Sequence, residues 1–328
     1  MKRREFLRKS AVAAGLAATR GAGILPANAH ARHSSPASPG RAIPRRPLGK
    51  TGEQLSIIGV GGVLVMDTEQ SFANRIVAEA FDRGINYFDV APSYGNAEER
   101  LGPALVPYRK NAFLAGKTLK RDKAAARAEL DQSLKRLRTD YFDLYQLHAL
   151  TKMEDLDRAL APGGAMETFL EARQAGKIRF IGFSAHSVET ALAAMDRFPF
   201  DTLLFPFNWV LYYQANFGPQ VLERARSKSM GCLALKAMAK TSWPEGLKKK
   251  PYPKCWYQPA GVPEEATLAL RFTLSEAVTA AVPPGDERLF RLAMEVAAKF
   301  QPVTDVERET LKTRSAGLKP LFRLQSAA

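Results

Sequence analysis

The residues of this chain best suited to chemistry lie at positions 87–102, YFDVAPSYGNAEERLG. An apolar strand carrying Ile85, Tyr87 and Phe88 is expected to end on the carboxylate of Asp89, and a Pro92-Ser93 turn then delivers Tyr94 and Gly95 to the loop beyond. Glu98 and Glu99 open a short helix that is expected to stop at Gly102 in a left-handed cap. A carboxylate and a phenol five residues apart at the mouth of a strand can exchange protons with a substrate. Taken singly, an Asp at a strand end usually caps a turn and a Tyr usually packs. The functional reading therefore depends on partners elsewhere in the chain.

Two such partners close apolar runs. Lys117 follows NAFLAG at 111–116, and His148 follows DLYQL at 143–147. An ammonium at the end of an apolar strand is costly alone, and Asp89 can pair with it. A lysine held near a phenol favours the phenolate, so Lys117 is predicted to lower the pKa of Tyr94. A neutral His148 can hold a carbonyl oxygen in place. Asp89, Tyr94, Lys117 and His148 together form a proton-delivery site with no nucleophile and no metal.

The elements that must bring these residues together alternate along the chain. Strand-like runs centre on Ile58, Tyr87, Phe113, Leu144, Phe180, Leu203, Leu233 and Ala280. Between several of them lie one-face helical stripes: Ile76/Val77/Ala80/Phe81, Leu130/Leu134/Leu137, Met166/Phe169/Leu170 and Val188/Leu192/Met195. Gly84 and Gly176 stand where two helices should end. This pattern predicts an α/β fold, a single-domain (β/α)₈ TIM barrel over 47–301, with its site at the C-terminal ends of the strands. An open doubly wound sheet is disfavoured because Gly59-Val60-Gly61-Gly62 is a poor version of the glycine fingerprint such sheets carry. The irregular stretch 239–261, after strand seven, is either a lid or a solvated excursion. The segment 302–328 reads as a C-terminal tail without chemistry.

Residues 1–29 read as a targeting segment: Arg3-Arg4-Glu5-Phe6-Leu7-Arg8-Lys9, then a short Ala-rich run, then Ala27-Asn28-Ala29 at a cleavage position. It resembles a bacterial twin-arginine signal peptide. The resemblance implies recognition by the twin-arginine translocation machinery, folding in the cytoplasm and delivery to the periplasm, with no stable membrane span. Residues 30–46, rich in Pro and Ser, read as a flexible linker.

The formal charge is +15; residues 1–29 hold six of the 48 Lys and Arg and one of the 33 acids, so the remainder still carries +10. That excess suits an anionic cofactor or substrate. No basic, aromatic-interleaved pattern points to nucleic acid. The two cysteines make no disulfide framework, and the four histidines build no metal cluster at a recognisable spacing.

The same residues resemble the aldo-keto reductases. The resemblance rests on Pro47-Leu48-Gly49-Lys50-Thr51-Gly52, on Phe88-Asp89-x-Ala91-x-x-Tyr94-Gly95 with Glu98 and Leu101-Gly102, on Lys117 and His148, and on Gly176-Lys177-Ile178-Arg179-x-Ile181-Gly182-x-Ser184. It implies a (β/α)₈ barrel that binds NADP(H) and reduces small-molecule aldehydes or ketones. Tyr94 would be the general acid, Asp89 and Lys117 would tune it, and His148 would orient the carbonyl. For the cofactor, the resemblance implies Gly61 and Gly62, Asp89, Ser184 on the carboxamide, Asn208 as the strand-six amide, Lys236 on the pyrophosphate, and Gly285, Arg288 and Arg291 after strand eight. Leu235 stands where the family often presents an aromatic ring. Two rivals remain: a nucleotide-binding sensor with little turnover, and a hydrolase built on Gly182-Phe183-Ser184-Ala185-His186. The second lacks the closing glycine of a nucleophile elbow.

Overall fold

A computed structural model of the chain describes residues 42–324. Eight parallel strands form one sheet: β1 (Val60–Gly61), β2 (Tyr87–Asp89), β3 (Phe113–Thr118), β4 (Phe142–Leu150), β5 (Ile178–Ala185), β6 (Thr202–Pro206), β7 (Gly231–Leu235) and β8 (Ala280–Val282). Each stave pairs with the next in chain order. Closure comes from the residues just before β1: Gly59 N–H donates to the Ala281 carbonyl at 3.0 Å, and Ala281 N–H donates to the Ile57 carbonyl at 2.9 Å. Ile58 bridges Ala281 in parallel. The fold is the expected (β/α)₈ barrel.

Strand period and register decide what the barrel encloses. Alternate residues face one side of a strand. Tyr87, Phe113, Ala115, Leu144, Leu204, Leu233 and Ala280 form the inner cluster, stopped at one end by Leu48 and Leu55 of the N-terminal hairpin (Arg45–Pro47 with Gln54–Ser56). The outer faces of the staves join the helices in a second, larger apolar layer. Asp89 is level with Ala115, and Lys117 is level with Gln146. Continuing the inner rows by two-residue steps therefore carries Asp89, Lys117, Gln146 and His148 to one end of the barrel.

Several expectations need correction. The hairpin begins inside the stretch 30–46 expected to be linker: Ile43 is buried and Arg45–Pro47 are paired. Gly102 does not cap its helix, which runs Ala97–Leu105. A Cβ at Gly102 would lie 2.4 Å from the Arg136 carbonyl oxygen, so this glycine is where the helix meets the neighbouring helix Lys123–Leu137 at closest approach. Gly84 and Gly176 do end helices at positive φ. Leu170, placed on an apolar stripe, is 40% exposed. The expected signal at 1–29 lies outside the described residues.

The stretch 239–261 folds as a lid hairpin, Ala239–Ser242 with Tyr257–Pro259. Lys254 fastens it across the mouth of the barrel, its ammonium donating to the carbonyls of Leu64 (3.1 Å) and Met66. The segment after 301 is built as well. A capping box at Thr304 and Glu307 opens the helix Asp305–Ser315, and beyond it Phe322 stacks on His186 with centroids 5.3 Å apart.

Candidate active site

At the C-terminal ends of the strands lies a cavity of about 240 Å³ bordered by Asp89, Tyr94, Lys117 and His148. Lys117 is the centre of its polar wall. Its ammonium donates to Asp89 Oδ1, to Tyr94 Oη at 3.4 Å and to the Val90 carbonyl at 3.4 Å, and it is almost entirely buried. The other carboxylate oxygen of Asp89 accepts from Tyr87 Oη at 3.3 Å and Gln146 Nε2 at 3.4 Å. His148 stands edge-on to Tyr94, with centroids 5.7 Å apart and planes at 88°.

The charges follow from this packing. Burial alone would depress the Lys117 ammonium, but Asp89 and then Tyr94 outweigh it and hold it above its ordinary value. Burial pushes the Tyr94 phenol up, Lys117 pulls it down and Asp89 pushes it up again; the net direction is up. The expectation that Lys117 would lower Tyr94 overall is overturned, because desolvation is the largest effect. Tyr94 is thus a protonated phenol at neutral pH, a donor rather than a phenolate. Burial, with Lys117 close by, pushes His148 down to about 2, so its imidazole is neutral. Its buried Nδ1 has no protein partner among the described residues.

The backbone aims His148. Pairing between β4 and β5 slips between Leu147 and Leu150, and Ala149 takes φ +54°. Ala149 N–H donates to Ser184 Oγ at 2.8 Å, and Arg121 donates to the His148 carbonyl at 2.7 Å. A non-glycine residue in the left-handed region is strained, and here the strain sits beside a cavity-lining histidine.

Of the residues expected at a cofactor, Gly61, Asp89, Ser184, Lys236 and Gly285 border the cavity. A Cβ at Gly61 would meet Val282 at 2.8 Å and one at Gly285 would meet Val63 at 2.5 Å, so both positions need a bare backbone. Gly62 packs on Val90 instead. Asn208 caps the helix Trp209–Ala215 by accepting from Leu211 N–H at 2.9 Å and donates to the Lys236 carbonyl at 3.2 Å; it supports Lys236 from behind. Arg288 is exposed, bonded to Asp286 and to the Pro251 carbonyl, and Arg291 pairs with Glu79 and Glu287. Glu295 pairs with Arg83.

Sequence reasoning missed part of the wall. Lys254, Cys255, Trp256 and Tyr257 come from the lid. Behind the wall, Tyr87 and Gln146, which donate to Asp89, were detectable, because both lie two residues before a named site residue on the same strand face. Burial pushes the thiols of Cys232 and Cys255 up to about 12, so neither is reactive. Among the described residues no group of three or more His, Cys, Asp or Glu could hold a metal, and no helix is long and apolar enough to cross a membrane.

Comparison with known proteins places this arrangement. Residues 58–286 match the model of the aldo/keto reductase family. The aldo-keto reductase YhdN of Bacillus subtilis is 35% identical over 184 residues, which are 49% of this chain and 53% of that protein. The uncharacterized oxidoreductase YqkF of the same organism is 36% identical over 155 residues, 43% of this chain and 48% of that one, so these matches span about half the length of the relatives. A crystal structure of a putative aldo-keto reductase from Pseudomonas aeruginosa superposes with a TM-score of 0.63 at 26% identity, covering 78% of this chain and 94% of that one. The chain belongs to the aldo/keto reductase family.

Proposed function

We propose that the protein is an NADP(H)-dependent oxidoreductase that reduces an aldehyde or ketone to an alcohol, with Tyr94 as the general acid. The observation that carries this reading is the convergence of a protonated Tyr94, the buried Lys117–Asp89 pair and a neutral His148 on one cavity. A reduced nicotinamide, when bound, supplies the hydride. The cavity fits it: Leu204, Leu235 and Val282 offer apolar surface, Ser184 a hydroxyl, and Gly61 and Gly285 bare backbone. Arg288 and Arg291 would hold the 2′-phosphate. Their present partners are partly exposed carboxylates, pairs weak enough for a phosphate to displace.

The chain's own residues handle the proton. Tyr94 Oη donates to the carbonyl oxygen as negative charge develops there. Lys117, held charged by Asp89, stabilises the phenolate left behind. His148, neutral, donates a hydrogen bond that fixes the carbonyl without itself ionising. The lid, whose Lys254, Cys255, Trp256 and Tyr257 border the cavity, limits the access of water to the exchange.

The test is a fluorescence titration of residues 30–328 with NADPH and NADH, followed by a carbonyl panel on wild type and Tyr94→Phe. We expect tighter binding of NADPH and loss of turnover in the variant, on the order of 10²- to 10⁴-fold. Equal turnover would mean the acid is misassigned. Residues 1–29 support export in a folded, cofactor-loaded state. Cell fractionation checks this, and recovery of the mature protein without nucleotide would count against it.

A further inference from the structure

One cation on the cavity wall lacks the compensation that Lys117 has. Lys236, directly after β7, is 9% exposed and takes φ +64°, a strained backbone for a side-chain-bearing residue. Its ammonium lies 3.4 Å from His186 Nε2, 5.4 Å from the ring centroid of Trp256 and 5.3 Å from that of Phe322. No carboxylate pairs with it among the described residues, although nearly every other buried cation near the site has one or donates to carbonyls. Burial pushes the amine down to about 7 and His186 down to about 3, so the imidazole is a neutral acceptor and brings no negative charge. Two aromatic faces attract a cation only weakly and do not replace an anion. A buried, unpaired ammonium is destabilising, and a ligand that neutralises it removes that cost.

The groups around this ammonium also indicate which ligand it meets. They come from the end of β5, the lid and the C-terminal segment, and none belongs to the Gly285–Arg291 turn where the cofactor's 2′-phosphate is expected. Tyr94, His148 and Lys236 border the same cavity. We propose that Lys236, with His186 beside it, receives an anionic group of the substrate, so that the preferred substrates are carbonyl acids: aldehydes or ketones that also carry a carboxylate. The ring of Trp256, which borders the cavity, suits an aryl or planar body between the two ends. This specificity rests on the reading that the cavity reduces carbonyls, but the anion subsite does not. An oxyanion could also come from the cofactor's pyrophosphate, and the experiment separates the two.

The full chain is titrated with 4-carboxybenzaldehyde and with its methyl ester, with and without saturating NADPH, following tryptophan fluorescence, to which Trp256 contributes beside Lys236. The acid is expected to bind at least about tenfold more tightly than the ester, roughly the worth of one charge-assisted contact. Lys236→Met should abolish that preference and keep NADPH affinity within about twofold, with the loss for the acid appearing in KM rather than kcat. Lys236→Arg should restore part of it. Tyr94→Phe should bind the acid normally without turning it over. Acid binding in the wild type without reduction would end the reductase reading and leave the subsite standing. An acid that binds no better than its ester overturns the proposal, even if Lys236→Met does not fold. So does a tenfold loss of NADPH affinity in Lys236→Met, which assigns the lysine to the pyrophosphate.

Discussion

Lys117 and Asp89 form an ion pair in which neither side chain is more than 4% exposed. Asp89 is further held by Tyr87 and Gln146, so both members are locked before any ligand arrives. Removing one partner leaves a buried charge without compensation, which costs about 3–5 kcal/mol, whereas removing both leaves a cavity with no charge in it. Lys117→Met is therefore expected to destabilise by about that amount, and Lys117→Met combined with Asp89→Asn by clearly less. Urea unfolding of the two variants measures the difference. Equal losses would show that the pair is not coupled.

The imidazole of His148 is neutral far below its ordinary range because it is buried near Lys117. With a neutral carbonyl substrate and saturating cofactor, kcat should show no break near pH 6.5 between about pH 5 and 8. Tyr94 stays protonated over the same window because burial raises it. A limb near 6.5 that disappears in His148→Gln would contradict this assignment.

Lys236 should make the unliganded protein less stable than it could be. Its folded pKa is about 7 against an ordinary 10.5, so between those values the unfolded chain binds a proton that the folded chain has released. Stability from this group rises with pH across that window, and the penalty is complete below about 7. Thermal melts of Lys236→Met against wild type should show a higher Tm at pH 6.5 to 7 and a gain that shrinks towards pH 10.5. A constant difference would mean that the lysine is charged in the fold at all these pH values.

Lys254 ties the lid to the barrel mouth through the carbonyls of Leu64 and Met66. Lys254→Met removes those bonds without touching the core. Limited proteolysis should cut between Thr241 and Tyr257 several-fold faster, while the global unfolding midpoint barely moves, because local opening and global unfolding are separate events. Unchanged cleavage would place the latch elsewhere, for instance at Arg288, which lies over the Tyr252 ring.

Residue type and spacing alone settled which side chains could meet at the site. A strand alternates its faces, so Asp89, Lys117 and His148 at the ends of successive apolar runs had to lie on the inner row once those runs closed into a barrel. The helix stops at Gly84 and Gly176 were legible for the same local reason, a glycine where the backbone turns left-handed. Gly102 was misread because close approach to Arg136 is a contact between helices, and no local pattern records it. The sign of the Tyr94 shift depended on burial competing with Lys117, and burial is decided by what covers the residue. The lid over the cavity, Phe322 from the C-terminal segment and the uncompensated ammonium of Lys236 likewise arise from segments far apart in the chain. Neighbour order along a strand is a property of the sequence, whereas desolvation is a property of everything packed around a group.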